Sequence, residues 1–205
     1  MKFLPKIFLV LLVFLLLAAC DSKQEGLTQL RPNDMILTFG DSLTSGVGTR
    51  PELSYPRQLG TLLGRTVINA GIPGETSAEG LTRLPGVLDR VEPELLVLCH
   101  GGNDILQKLG RDQLRANLQG MVAEAKQRGI AVVMIAVPQL GLGLQDVPLY
   151  QNLADELKIP LVSEALRKLL TEQQYKSDPV HLNAQGYRKL AEAVADVLAA
   201  NGALR

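Results

Sequence analysis

The chain has 205 residues, with 21 basic and 21 acidic side chains, 46% apolar residues, two cysteines and two histidines. A chain of this length suits one domain with a substantial core, and the apolar content excludes a disordered protein. Two cysteines are too few for a disulfide-built scaffold. The balanced charge, with no basic stripe, also argues against nucleic acid as a partner.

The first 20 residues differ from the rest, because they hold 17 apolar residues and three of the four phenylalanines. Two lysines precede the apolar run Ile7–Ala19, which is shorter than the roughly 20 residues of a membrane-spanning helix. This arrangement is typical of a secretory signal. The run ends in Ala18-Ala19-Cys20, which resembles the bacterial lipobox, in which the cysteine becomes the lipidated first residue. We predict a signal peptide over residues 1–19 and membrane attachment through Cys20. The alternatives are a plain secretory signal with an incidental cysteine and an uncleaved anchor.

Residues 21–33 are polar and without periodicity, which predicts a tether over residues 20–33 and a folded domain over residues 34–205. Fully extended, the tether would reach roughly 40 Å. Asp21, directly after the cysteine, resembles the inner-membrane retention signal of enterobacterial lipoproteins. The expected location is therefore the bacterial periplasm, with lipid attachment and the inner membrane favoured.

From residue 35 onward, short apolar runs alternate with helical patterns, which predicts one α/β domain with a parallel sheet. The five predicted strands are Met35–Phe39, Thr66–Ala70, Leu95–Cys99, Ala131–Val137 and Pro160–Val162. Three helices are indicated between and after them. The helix between the third and fourth strands carries an apolar stripe and ends at Gly129. Another opens with a capping box of Thr76 and Glu79, and we expect Pro85 to limit its length. The last spans about Ala184 to Ala200.

Polar residues collect after the predicted strands, where ligands bind in sheets of this kind. After the first strand, Ser42 lies in a Gly-Asp-Ser turn that can expose its hydroxyl as a nucleophile, although such a sequence also forms ordinary turns. After the second, the glycine-rich run from Asn69 to Ser77 can present backbone N–H groups to an anion. After the third, Asn103 can donate amide hydrogens to a developing oxyanion, or simply cap a helix or loop.

Before the last helix, Asp178 and His181 are three residues apart. This spacing can bring a carboxylate beside an imidazole, so that the carboxylate orients the ring and the ring accepts the serine proton. The alternative is a surface aspartate with an unrelated histidine.

Together, these four stretches resemble the four sequence blocks of the SGNH, or GDSL-type, hydrolases in order, from about residue 35 to residue 198. Within that family, the first three blocks are most similar to the thioesterase, lysophospholipase and arylesterase group. The resemblance implies that Ser42 is the nucleophile, His181 the general base and then acid, and Asp178 the orienting carboxylate. It also implies an oxyanion hole made by the N–H of Ser42, the N–H of Gly74 and the side chain of Asn103.

The fold implied by the resemblance is a three-layer α/β/α sandwich with a five-stranded parallel sheet in the order 2-1-3-4-5. The implied activity is hydrolysis of small-molecule carboxylic esters or thioesters through an acyl-enzyme. Two rival functions remain: an esterase for O-acetylated carbohydrate or cell wall, and a non-catalytic lipid- or ligand-binding lipoprotein. We expect a monomer. We also expect no metal or nucleotide cofactor, since no residue spacing fits a metal or nucleotide site.

Three further features have a second interpretation. We expect His100 to support the structure near the site, with Asp104 the remaining candidate for a partner carboxylate. We expect Cys99 to be a buried, inert thiol. The stretch Pro138–Pro148, in which leucines alternate with glycines, is expected either to form an apolar wall that affects substrate preference or to be a surface loop packing its own leucines.

Overall fold

The computed structural model describes residues 26–139 and 144–204. The predicted signal peptide, Cys20 and Asp21 lie outside these residues, as do residues 140–143 of the stretch Pro138–Pro148. Among the described residues, no helix is both long enough and apolar enough to cross a bilayer.

Five parallel strands form one sheet in the order β2-β1-β3-β4-β5, as predicted. Their bounds are close to the apolar runs: β1 Ile36–Gly40, β2 Val67–Gly71, β3 Leu95–Cys99, β4 Ala131–Ile135 and β5 Leu161–Val162. Every residue of β1 and β3 is buried, because these central strands are covered on both faces. Gly40 is required at the end of β1, since a Cβ there would lie 1.8 Å from the carbonyl oxygen of Cys99 on β3.

Helices cover both faces of the sheet. They are α1 Ser42–Ser45, α2 Tyr55–Leu63, α3 Ser77–Val91, α4 Gly102–Gln107, α5 Arg111–Gln127, α6 Pro148–Leu157, α7 Ala165–Thr171 and α8 Ala184–Ala200. Short 3₁₀ turns occupy Pro51–Leu53 and Gln173–Tyr175. Helix α2 packs against α8 on one face, and α3 packs against α5 on the other. Right-handed crossovers dictate this division, since the chain steps from β1 to β2 in one direction and from β2 to β3 in the other.

The helix after β2 is longer than the sequence indicated. The predicted capping box is present. The Thr76 side chain accepts from the Glu79 backbone N–H, and the Glu79 carboxylate accepts from the Thr76 backbone N–H. The expectation that Pro85 limits this helix is wrong, because α3 continues to Val91. Proline removes only one backbone donor, and burial of Leu84 and Val87 on either side holds both halves of the helix against the core.

Part of the predicted tether is packed on the domain. The backbone N–H of Leu27 donates to Asn201 O at 2.7 Å, and that of Leu30 donates to Ala203 O at 3.0 Å. The Leu30 side chain is buried in the core. Two isolated leucines in a polar stretch show no periodicity, so sequence pattern alone did not separate this docked segment from a tether. The chain therefore enters the domain beside the end of α8.

Candidate active site

Ser42 lies at the sharp turn between β1 and α1. Asp41 caps this four-residue helix: its Oδ1 accepts from Leu43 N at 3.1 Å, and its Oδ2 accepts from Gly102 N at 3.2 Å. Burial raises the pKa of Asp41, against the opposing effect of His100 and of these backbone hydrogen bonds. Through its two hydrogen bonds, Asp41 connects the end of β1 with the segment that follows β3, next to the half-buried Ser42.

His181 connects this serine to a carboxylate. Its Nε2 lies 2.9 Å from Ser42 Oγ, and its Nδ1 lies 2.7 Å from Asp178 Oδ2. The other carboxylate oxygen of Asp178 accepts from the backbone N–H groups of Val180 and His181 at 2.9 and 2.8 Å. Desolvation alone would raise the pKa of Asp178, but these hydrogen bonds together lower it.

The positions of the protons on Ser42, His181 and Asp178 follow from which of their atoms can donate and which can accept. An ionised Asp178 can only accept, so Nδ1 of His181 carries the proton that it donates. In a neutral ring with this tautomer, Nε2 accepts the hydroxyl hydrogen of Ser42. The pattern is that of a serine prepared to lose its proton to an imidazole.

Gly74 and Asn103 lie beside Ser42 around one cavity of about 210 Å³. Gly74 has a positive φ of 83°, a conformation that favours glycine. The Asn103 side chain donates to the Glu75 carbonyl at 2.9 Å, which uses one of its two amide hydrogens and leaves the other to donate elsewhere. The cavity is also lined by apolar side chains, namely Leu43, Val47, Pro73, Leu106 and Val180.

His100 has a carboxylate partner that the sequence did not indicate. The ring is fully buried, and its Nε2 lies 3.1 Å from Glu75 Oε2. Asp104, the partner considered from sequence, instead accepts from the backbone N–H and hydroxyl of Ser77 at 2.8 and 2.5 Å. Glu75 lies in the glycine-rich loop, whose sequence pattern indicates backbone donors and not a carboxylate partner. A charged residue directly after the glycine of that block was the available signal.

Cys99 is fully buried at the end of β3. Burial, together with the nearby Asp41 carboxylate, raises the pKa of its thiol well above the ordinary value. It is a free, buried cysteine, as expected, and its inertness stays a prediction.

In the described part of the chain, no group of three or more His, Cys, Asp or Glu side chains is arranged to hold a metal ion.

The stretch Pro138–Pro148 is predicted to form either an apolar wall or a surface loop, and its residues 140–143 lie outside the described residues. Leu144, beyond them, is half-buried and packs against the core.

Serine, imidazole and carboxylate in line at the carboxyl edge of this sheet have the arrangement that is found in serine hydrolases. Residues 38–189 match the model of the GDSL-like lipase/acylhydrolase family. The chain belongs to this family, and it is an ester hydrolase.

Similar proteins include named enzymes. The chain is 32% identical over 177 residues to the arylesterase of Vibrio mimicus, with 81% of this chain and 88% of that protein aligned. It is 27% identical over 203 residues to thioesterase 1/protease 1/lysophospholipase L1 of Escherichia coli strain K12, covering 95% and 91% of the two chains. Among solved structures, TesA matches with a TM-score of 0.73 at 28% identity, covering 80% of this chain and 98% of that one.

Proposed function

We propose that Ser42, His181 and Asp178 form the catalytic triad of this ester hydrolase. The 2.9 Å approach of Ser42 Oγ to His181 Nε2 carries the proposal. Ser42 Oγ attacks the ester carbonyl carbon while its proton moves to Nε2, and the carbonyl oxygen becomes an oxyanion. Collapse expels the alcohol or thiol, which takes the proton from Nε2. Water then attacks the acyl-enzyme, with His181 accepting its proton and returning one to Ser42 as the acid leaves.

Three donors are proposed to stabilise the oxyanion: the N–H groups of Ser42 and Gly74 and the free amide hydrogen of Asn103. All three residues line the same cavity. Asp178 does not change protonation state in this scheme, which agrees with its lowered pKa. Its hydrogen bond fixes the ring tautomer and stabilises the imidazolium that forms after proton transfer.

The test compares Ser42→Ala with wild type on p-nitrophenyl acetate. We expect Ser42→Ala to keep the far-ultraviolet circular dichroism and melting temperature of wild type and to lose turnover. Asp178→Asn should also lower kcat strongly, because the amide favours the wrong tautomer. Turnover by folded Ser42→Ala close to that of wild type would contradict the triad. A folded wild type without turnover on any ester would favour the non-catalytic binding protein.

For the substrate, we propose oxygen esters with short acyl groups. A cavity of about 210 Å³ lies below the roughly 300–1,000 Å³ typical of small-molecule sites, and its apolar lining suits an acyl group. A panel of p-nitrophenyl esters of increasing acyl length, with an acyl-CoA and a lysophospholipid, tests this. We expect kcat/KM to be highest for short chains, and highest activity on the longest chains would contradict it.

The same small cavity also favours a second candidate, an esterase that removes acetyl groups from carbohydrate. Including an O-acetylated sugar in the panel separates the two. Turnover of the sugar acetate above that of the aryl acetate would favour the second candidate.

We further propose that the protein is anchored in the periplasm through lipidated Cys20. If so, the chain between Cys20 and the docked Leu27 reaches at most roughly 25 Å. Leu27 lies at the end of α8, whereas His181 precedes its start, and the 17 residues of α8 extend about 25 Å. The attached segment would then enter the domain at the end of α8 that is opposite His181. Cell fractionation tests the anchor: Cys20→Ala should move the protein from membrane to soluble fractions, and unchanged distribution would contradict it.

A further inference from the structure

The loop after β2 carries a buried ionic cluster beneath the proposed oxyanion hole. The Glu75 carboxylate, with 6% of its side chain exposed, accepts from Arg83 Nε and Nη2 at 2.7 Å each. Arg83 extends from α3, stacks 4.1 Å above the Phe39 ring, and donates to Ala70 O at 3.0 Å. These contacts fix the carboxylate from the α3 side.

His100 fixes the same carboxylate from the β3 side. Its Nδ1 accepts from the backbone N–H of Gly101 at 3.0 Å, so Nδ1 is unprotonated in this arrangement. Nε2 therefore carries the hydrogen and donates to Glu75 Oε2 at 3.1 Å. Burial opposes ionisation of Glu75, but hydrogen bonds from Arg83 and His100 lower its pKa to about 2.

The main chain of the same residue contacts both proposed oxyanion donors. Glu75 follows Gly74 directly, and its carbonyl oxygen holds the Asn103 amide at 2.9 Å. The loop after β2 and the loop after β3 are thus joined twice through Glu75, once by its carboxylate to His100 and once by its carbonyl to Asn103.

We propose that Glu75, clamped by Arg83 and His100, is a positioning residue that holds the Gly74 N–H and the Asn103 amide at the separation that an oxyanion requires. The inference rests on the proposed function. Glu75 does not contact substrate. Its effect comes through the geometry of the two donors, which must be held within fractions of an ångström.

The first test is Glu75→Gln, which keeps the size of the side chain but cannot accept from Arg83 and His100 together. We expect kcat to fall about 10- to 100-fold with KM changed little, since the donors act on the transition state. Affinity for an aliphatic trifluoromethyl ketone should fall in proportion. This probe adds to Ser42 Oγ and places an oxyanion in the hole. Glu79→Gln, an exposed carboxylate on the first turn of α3, is the matched control and should leave kcat unchanged.

The second test is a double-mutant cycle with Asn103→Ala. If Glu75 acts through the hole, Glu75→Gln should reduce kcat much less in the Asn103→Ala background than in wild type. His100→Gln, which can still donate to Glu75, should retain more activity than His100→Leu, and this pair serves if Glu75→Gln does not fold.

If Glu75 had only a structural role, the experiments would give different results. A lowered melting temperature with wild-type kcat and wild-type ketone affinity would overturn the proposal, and so would independent, multiplicative effects in the cycle. Failure of the proposed function is read separately, since it would appear as turnover by Ser42→Ala.

Discussion

A single methyl group added at Gly80 probes the buried cluster directly. Gly80 lies on the first turn of α3, and its backbone N–H donates to Thr76 O at 2.9 Å. A Cβ there would lie 2.4 Å from His100 Nε2, 2.9 Å from His100 Cδ2 and 3.1 Å from Met121 Cε. His100 is fully buried and cannot turn out to solvent, so Gly80→Ala must displace the ring or the helix, which disturbs the hydrogen bond between His100 and Glu75.

The size of the effect follows from opposing contributions. Alanine in place of a helical glycine contributes about 0.5–1 kcal/mol of stability through helix propensity. Overpacking at the ring costs about 1–3 kcal/mol, and weakening the buried hydrogen bond between His100 and Glu75 costs about 1–3 kcal/mol more. We expect a net loss of about 1–5 kcal/mol in the free energy of unfolding.

Gly86 in the same helix is the matched control, because a Cβ there would meet nothing within 4 Å. Urea unfolding at neutral pH, followed by circular dichroism, should show Gly86→Ala stabilised by about 0.5–1 kcal/mol and Gly80→Ala destabilised. Equal stabilisation of both variants would refute the reasoning, since it would mean that the ring tolerates the methyl group.

Three further outcomes are expected. Because the pKa of Glu75 is lowered to about 2 from 4.5, its ionised form stabilises the native state above pH 4.5, and this is lost as pH falls towards 2. The difference in unfolding free energy between wild type and Glu75→Gln should therefore shrink between about pH 6 and about pH 3, and a constant difference would argue against the clamp. Asn103→Ala should lower kcat about 10²–10³-fold in steady-state assays, and a change of only a few-fold would remove it from the hole. Peptide mapping after iodoacetamide should find Cys99 unmodified in native protein and modified in urea; rapid native labelling would contradict its burial.

Sequence pattern predicted the fold well because each strand is a short apolar run between polar segments. The run Leu95–Cys99 coincides with β3, and the last helix has the expected bounds. The expectations that differed concern elements whose fate depends on distant partners. Pro85 is tolerated because buried neighbours hold both halves of its helix. Leu27 and Leu30 dock because the end of α8 offers free carbonyl groups.

At the site, local spacing sufficed for Asp178 and His181, which are three residues apart and in contact. The pairing of His100 with Glu75 spans 25 residues and depends on how the loop after β2 folds over β3. No local pattern specifies which of two nearby carboxylates, Glu75 or Asp104, takes the ring. In the folded protein, Asp104 instead accepts from Ser77 of α3, and Glu75 accepts from Arg83 of the same helix.

The central claim is that Ser42 is an activated nucleophile, and labelling with a fluorophosphonate tests it most directly. Its phosphorus is attacked by the serine oxygen and fluoride leaves, so a stable adduct marks the residue that attacks. Mass spectrometry of the labelled wild type should locate one adduct on Ser42, while folded His181→Ala should label far more slowly. An adduct on another residue, or no labelling of folded wild type, would contradict the account.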